Sequence, residues 1–185
     1  IYTLSLHDAL PILVILASSA AEDPLLATAG PILTRLRDIT GESAQLFRRQ
    51  GDLRICSAAV ERPSGLRDTV PLGAQLSMTA GSAAQVLLAW EEPENLPRLL
   101  KEATFTVLTL QQVRRRGWAQ SVAEREPGVA SVSAPVLSPS GKIIAAVSVS
   151  GPIERLTRQP GRLHAPAVMA AAERLSEVLR RNGTE

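Results

Sequence analysis

Cysteine occurs once, at Cys56, and a single thiol excludes an internal disulfide. Aromatic residues make up only 3% of the 185 residues, so aliphatic side chains and alanine must fill the core. Lysine is nearly missing: Lys101 and Lys142 are the only two, and arginine supplies nearly all the positive charge. The net charge of +2, spread along the chain, leaves no electrostatic footprint for a strong nucleic-acid binder. No zinc-finger or RNA-recognition motif is present, and no run of aromatics interleaved with arginine. The apolar run at residues 9–21 is too short to span a bilayer, which takes about 20 residues, and it lacks the charged leader of a secretory signal. A cytoplasmic protein without membrane contact is the expectation.

The composition, 45% hydrophobic and 21% charged, is that of a globular chain with room for one ordinary domain. Residues 1–12 stand apart. They resemble, codon by codon, the translation of a sequencing-library adapter. They are therefore set aside from fold reasoning as a non-native segment, with the expectation that the natural gene extends upstream. Residues 13–27 are assigned to the remnant of an interdomain linker helix, and 28–185 to the domain itself.

Residues 23–40 have helical periodicity, with Asp23 before Pro24 as an N-cap, Gly41 as a stop and Pro31 as a point of kink or restart. Residues 43–48 and 53–60 read as a hairpin around Gln50-Gly51-Asp52. Residues 61–73 read as a long loop holding a short strand. Helices are expected at 79–90, 93–101 and 110–116, then a strand at 118–122 and the acidic loop 123–128. Strands 129–137 and 142–150 follow, joined by Ser138-Pro139-Ser140-Gly141, and a last helix spans 164–181. Helices mixed with antiparallel hairpins in this order imply an α+β domain.

The hairpin at 129–150 carries the most information. If its turn is tight, residues 137 and 142 face each other. Ala130 then pairs with Val149, Val132 with Val147, Ala134 with Ala145 and Val136 with Ile143. Side chains alternate along a strand, so these eight apolar residues share one face, which is core. On the other face Ser131 pairs with Ser148 and Ser133 with Ala146, and Ser150 lies diagonally beyond. That face either meets water, is satisfied under a helix, or forms the floor of a pocket. A buried hydroxyl left unpaired costs about 1–3 kcal/mol, and short side chains leave room for a guest. The helix start near Thr79–Ala83 adds small residues whose backbone N–H groups suit a carboxylate or phosphate.

Catalytic candidates are weak. Cys56 reads as a small core residue, and His164 as a cap or surface group. Glu124 and Glu126 lie in a charged loop and read as solvated. Arg114-Arg115-Arg116 ends a helix, where cations suit the dipole. No nucleophile elbow, Walker loop, dinucleotide fingerprint or metal-ligand cluster is present, so neither enzymatic activity nor a cofactor is expected.

Five segments resemble the C-terminal effector-binding domain of the IclR family. They are residues 31–36 (Pro-Ile-Leu-Thr-Arg-Leu), 76–84 (Leu-Ser-Met-Thr-Ala-Gly-Ser-Ala-Ala), 114–119 (Arg-Arg-Arg-Gly-Trp-Ala), 126–136 (Glu-Pro-Gly-Val-Ala-Ser-Val-Ser-Ala-Pro-Val) and 145–152 (Ala-Ala-Val-Ser-Val-Ser-Gly-Pro). The resemblance implies a GAF-like fold, a central antiparallel sheet with helices against it. It implies a small organic acid or amino acid effector, and homodimers or tetramers. Operator DNA would be contacted only through a winged helix-turn-helix domain upstream. Pocket positions carried over by the resemblance are Ser82, Ala83, Ser121, Ser131, Ser148 and Ser150. Ser121 and Ser131 depart from the family's organic-acid sensor, which has an acid and a cysteine there. None of the six is basic, so each ligand contact is expected to be neutral. Residues 62–71 resemble a branch associated with leucine and other amino-acid biosynthesis. A free-standing GAF-like module regulating an enzyme or signalling protein is the alternative, and a hydrolase using Cys56 or His164 a third reading.

Overall fold

The fold was obtained as a computed structural model, which describes residues 23–183. The readings of residues 1–12, and most of 13–27, lie outside the described residues.

The chain opens with helix α1, Pro24–Thr40. Asp23 caps it by accepting the backbone N–H groups of Leu25 and Leu26, and Gly41 ends it in the left-handed region at φ 72°. Pro31 lies inside one continuous helix and does not restart it; the buried row Leu25, Ala29, Leu33 and Leu36 runs on both sides of it. Strands β1, Ser43–Gln50, and β2, Leu53–Val60, form the expected hairpin. The short strand expected within residues 61–73 falls just after them, as β3, Gln75–Ser77. Helix α2, Ser82–Leu88, is buried along its whole length and shorter than the expected 79–90. Helices α3, Leu96–Leu99, and α4, Val107–Arg116, precede strand β4, Ala119–Val122. Strands β5, Val129–Leu137, and β6, Ile143–Pro152, lead through the one-turn helix α5, Ile153–Leu156, to the long helix α6, Pro160–Asn182. That last helix begins four residues before the expected start. Proline at a first helical turn loses no hydrogen bond, so Pro160 opens it and His164 sits in its second turn.

The six strands form one antiparallel sheet in the order β3-β2-β1-β6-β5-β4. Its two edges are the shortest strands, which limits unpaired backbone for edge-to-edge association. One face packs under α1 and α6: Val132, Ala134, Val136, Ala145, Val147 and Val149 meet Leu33, Leu36, Val168, Leu175 and Leu179 in one core. The other face packs under α2 and α4 through Phe47, Cys56, Val86, Leu110 and Val113. This is the expected α+β arrangement.

The β5–β6 register differs from the tight-turn expectation by two residues. Ser131 faces Ser150, Ser133 faces Ser148, Val132 faces Val149 and Val136 faces Ala145. One residue of the shift comes from the loop. Pro139, Ser140 and Gly141 form a turn closed by Gly141 N–H to Ser138 O (2.9 Å), with Gly141 left-handed at φ 82°. Ser138 N–H then bonds Lys142 O at 2.8 Å. The other residue comes from a bulge at Val136/Leu137, where Leu137 faces Ile143 and Ile144 is extra. A slip of two keeps side chains on their faces, so from Ala145 onward the dry and hydroxyl faces stand as read although their partners change; at the bulge itself Ile143, expected on the dry face, packs against the opposite core and Ile144 takes the dry side.

Candidate functional site

Beneath α2, β5 and β6 present their hydroxyl face. Ser82 is the first residue of α2, is buried, and follows Gly81, which caps the helix with φ 95°. Its Oγ lies 2.7 Å from Ser131 Oγ and 2.7 Å from Ser133 Oγ. Ser133 donates to Ser148 Oγ at 2.8 Å, and Ser121 on β4 lies 2.9 Å from Ser131. A chain of five serines from three strands and a helix thus satisfies itself. Ser150 stands beside this chain, paired with the buried amide of Gln45, whose Nε2 donates to it at 3.0 Å. The hydroxyls expected to need water, a helix or a ligand have partners in one another.

Ser82, Ala83, Ser131, Ser148 and Ser150 line one cavity. Ser121 does not; it backs Ser131 from behind. The space left is about 20 Å³, enough for one water. The same cavity is lined by Gln45, Arg54, Asp68 and Arg125. Two arginines therefore stand beside the neutral positions that were expected to make the ligand contacts. They come from β2 and from the loop after β4, and neither carries a motif around it. A charged residue read as strand in Leu53–Val60 is the one signal that could have flagged Arg54.

Arg54 is 2% exposed. Burial pulls its guanidinium down to about 10; the charge of Arg125 adds to this and that of Glu124 opposes it, so it stays a cation at neutral pH. Arg125 reaches across to Asp68, Nη2 to Oδ2, at 2.6 Å. This ion pair ties the loop between β2 and β3 to the loop between β4 and β5, and both partners line the cavity.

The start of α2 is already occupied. Gly81 N–H donates to Glu124 Oε2 at 2.9 Å, and the same carboxylate accepts from Gln85 Nε2 at 3.1 Å and Thr104 Oγ1 at 3.1 Å. The carboxylate expected at this helix end therefore belongs to the protein. Glu124 is not a solvated loop residue, because three donors from α2 and its neighbours converge on it.

The other chemical candidates have structural roles. Cys56 is fully buried, and burial pushes its thiol up to about 11. His164 is half-buried, which lowers its pKa, with Glu42 opposing. Arg114 donates to Ala89 O at 2.8 Å, and Arg116 stacks on Trp118 at 3.8 Å.

A six-stranded antiparallel sheet with helices on both faces, and a small polar cavity between sheet, helix start and loops, defines a GAF-like ligand-binding domain. The family of bacterial transcriptional regulator IclR C-terminal domains matches residues 17–177, and the chain belongs to it as an effector-binding domain. The chain is 33% identical over 165 residues to the HTH-type transcriptional regulator BhcR of Paracoccus denitrificans, covering 82% of this chain and 59% of that protein. It is 30% identical over 146 residues to the HTH-type transcriptional repressor AllR of Escherichia coli K12, covering 72% of this chain and 54% of that one. An IclR transcriptional regulator from Alicyclobacillus acidocaldarius superposes with a TM-score of 0.81 at 26% identity, covering 91% of this chain and 74% of that one. The chain spans a little over half the length of the curated relatives it matches. Among the described residues, no helix is long and apolar enough to cross a membrane.

Proposed function

We propose that the cavity between Ser82 and the β5–β6 floor is the effector site, and that a small organic acid or amino acid occupies it. The observation that carries this reading is the convergence of five of the six expected positions on one small cavity, with the buried Arg54 and the partly exposed Arg125 beside it. The cavity is nearly full as it stands, so entry requires the loops joined by Asp68 and Arg125 to part. Ligand binding would be coupled to that movement and passed on to a DNA-binding domain. The relatives' names describe helix-turn-helix regulators. They support a winged helix-turn-helix domain preceding residue 13 in the natural gene, with DNA contact through that domain alone; a homodimer or tetramer and a cytoplasmic home are proposed on the family resemblance. Residues 28–185 would be the effector domain, 13–27 the linker and 1–12 foreign to it.

Calorimetric titration with branched-chain amino acids and small oxo and hydroxy acids tests the site. Ser131→Ala and Ser148→Ala should each weaken the bound compound about fivefold or more, the loss expected for one net hydrogen bond. A ligand held equally well by both variants and by the unaltered chain would place the site elsewhere.

A further inference from the structure

The one-turn helix α5 is held by contacts from elsewhere in the chain, not by its own sequence. Four residues are too few to sustain a helix alone, and no side chain caps this one. The chain leaves it through Thr157, whose φ of 64° is a left-handed conformation that a β-branched residue adopts only at a cost. Three tethers seat it. Ile153 N–H donates to Gly128 O at 2.8 Å, in the loop between β4 and β5. Arg155 Nη2 donates to Leu66 O at 2.6 Å, in the loop between β2 and β3. The same guanidinium holds Glu42 at 2.6 and 2.8 Å, and Glu42 directly follows Gly41, the stop of α1. Leu156 is fully buried, beside Gly151 of β6.

These two loops carry Asp68 and Arg125, the cavity-lining pair joined at 2.6 Å. Helix α5 thus touches both cavity loops and, through one buried carboxylate, the end of α1. We infer that α5 couples the cavity loops to α1, with Arg155 as the positioning residue. When the loops part, the Leu66 and Gly128 tethers move α5, and Arg155 shifts Glu42 with it. Glu42 is suited to carry the displacement. It is 2% exposed, it lies so close to Gly151 that a Cβ there would stand 2.3 Å from its Oε2, and two charge-assisted hydrogen bonds fix it to Arg155. Groups packed this tightly transmit a displacement instead of absorbing it. The use of the link, passing occupancy of the cavity on towards an upstream domain, rests on the cavity being the effector site; the link itself is a property of the chain alone. A second tie runs beside it. Arg62 donates its backbone N–H to Ser43 Oγ at 3.2 Å and its side chain to the Gly41 carbonyl. That tie holds the start of the β2–β3 loop, ahead of the part that bears Leu66 and Asp68.

Hydrogen exchange of the whole chain, read by mass spectrometry without any ligand, tests the link. Asp68→Ala frees the two loops from each other. Exchange should rise about fivefold or more in residues 61–74 and about twofold or more in residues 38–44, as local opening spreads through a cooperative unit. In the Arg155→Met background, Asp68→Ala should still speed residues 61–74 and add nothing at 38–44. Arg155→Lys, whose ammonium can still bridge Glu42 and Leu66, should keep part of the response. Arg155→Met leaves Glu42 buried without a partner; should it fail to fold, Glu42→Gln combined with Arg155→Met carries the same comparison. Arg62→Met is the control on the second tie, and the response at 38–44 should survive it. Three results overturn the inference: loops that stay closed without Asp68, no change at 38–44 when 61–74 opens, or a change there of equal size with and without Arg155. The effector-site reading fails by its own measure, the titrations of Ser131→Ala and Ser148→Ala, so the two failures are told apart.

Discussion

Glu124 closes the start of α2 by accepting the Gly81 N–H at 2.9 Å, from 43 residues further along the chain. Its carboxylate also takes the Gln85 amide and the Thr104 hydroxyl, so one side chain gathers α2, the loop before α4 and the loop after β4. Glu124→Ala should lower unfolding stability by about 1–3 kcal/mol, because three donors lose their acceptor. Glu124→Gln, which keeps one carbonyl oxygen, should cost less. Urea unfolding measures both; an alanine variant as stable as the unaltered protein would show that water replaces the carboxylate without loss.

Gly151 is required by close packing and not by its backbone angles. A Cβ there would lie 2.3 Å from Glu42 Oε2 and 2.9 Å from Leu156 Cδ1. Glu42 is 2% exposed and holds Arg155 through two hydrogen bonds, at 2.6 and 2.8 Å, so it has little room to yield. Gly151→Ala should cost about 1–3 kcal/mol, the usual penalty of overpacking. Thermal unfolding checks this, and a neutral result would mean that α5 shifts freely.

Asp23 links acid stability to the α1 cap. The hydrogen bond from Arg48 is the main cause that lowers its pKa; burial opposes it, and the Arg48 charge and the Leu26 and Leu25 N–H groups add to it. A carboxyl whose folded pKa lies below its ordinary 3.8 contributes stability present above that value. The contribution is lost as pH falls through the lower folded value. Asp23→Asn keeps an oxygen for the cap and removes the ion pair. Its stability should therefore change less than that of the unaltered protein as pH falls below about 4. Equal acid sensitivity in both would count against the pair.

Cys56 should be inert to thiol reagents in the folded protein at neutral pH and react once the chain unfolds in guanidinium. Burial holds its thiol near 11, against an ordinary 9.0. Between those values the folded protein keeps a proton that the unfolded chain has released. The stability this contributes is full below pH 9 and is lost as pH rises towards 11. Cys56→Ala should flatten that alkaline loss. Rapid labelling of the native protein at neutral pH would contradict this burial.

Much of the fold was legible because it follows from local chemistry. The alternation of Ala130, Val132, Ala134 and Val136 against Ser131 and Ser133 needs only the two-residue period of a strand to separate a core face from a hydroxyl face. Asp23, Gly41 and Gly117 mark helix ends by capping geometry that is written within a few residues. The order of strands and helices, with the family's motifs at residues 76–84 and 126–152, brought Ser82, Ser131, Ser148 and Ser150 together before any coordinates. Five of the six carried-over positions do line one cavity.

The remainder depended on tertiary structure. The β5–β6 register turned on Gly141 in a three-residue loop and on a bulge beside it, and periodicity is blind to a slip of two because faces are preserved. The partners of the serine hydroxyls depended on that register and on where α2 lands, so self-satisfaction through Ser133 was not visible in the sequence. Glu124 looked solvated because its neighbours in sequence are charged, while its three donors come from Gly81, Gln85 and Thr104. Arg54 and Arg125 lie 71 positions apart on a strand and a loop that share no motif. Composition and spacing determine which residues can be buried and on which face. Which charge is left facing a cavity is decided by long-range packing, because the cost of burying a cation depends on partners that only the folded chain brings near.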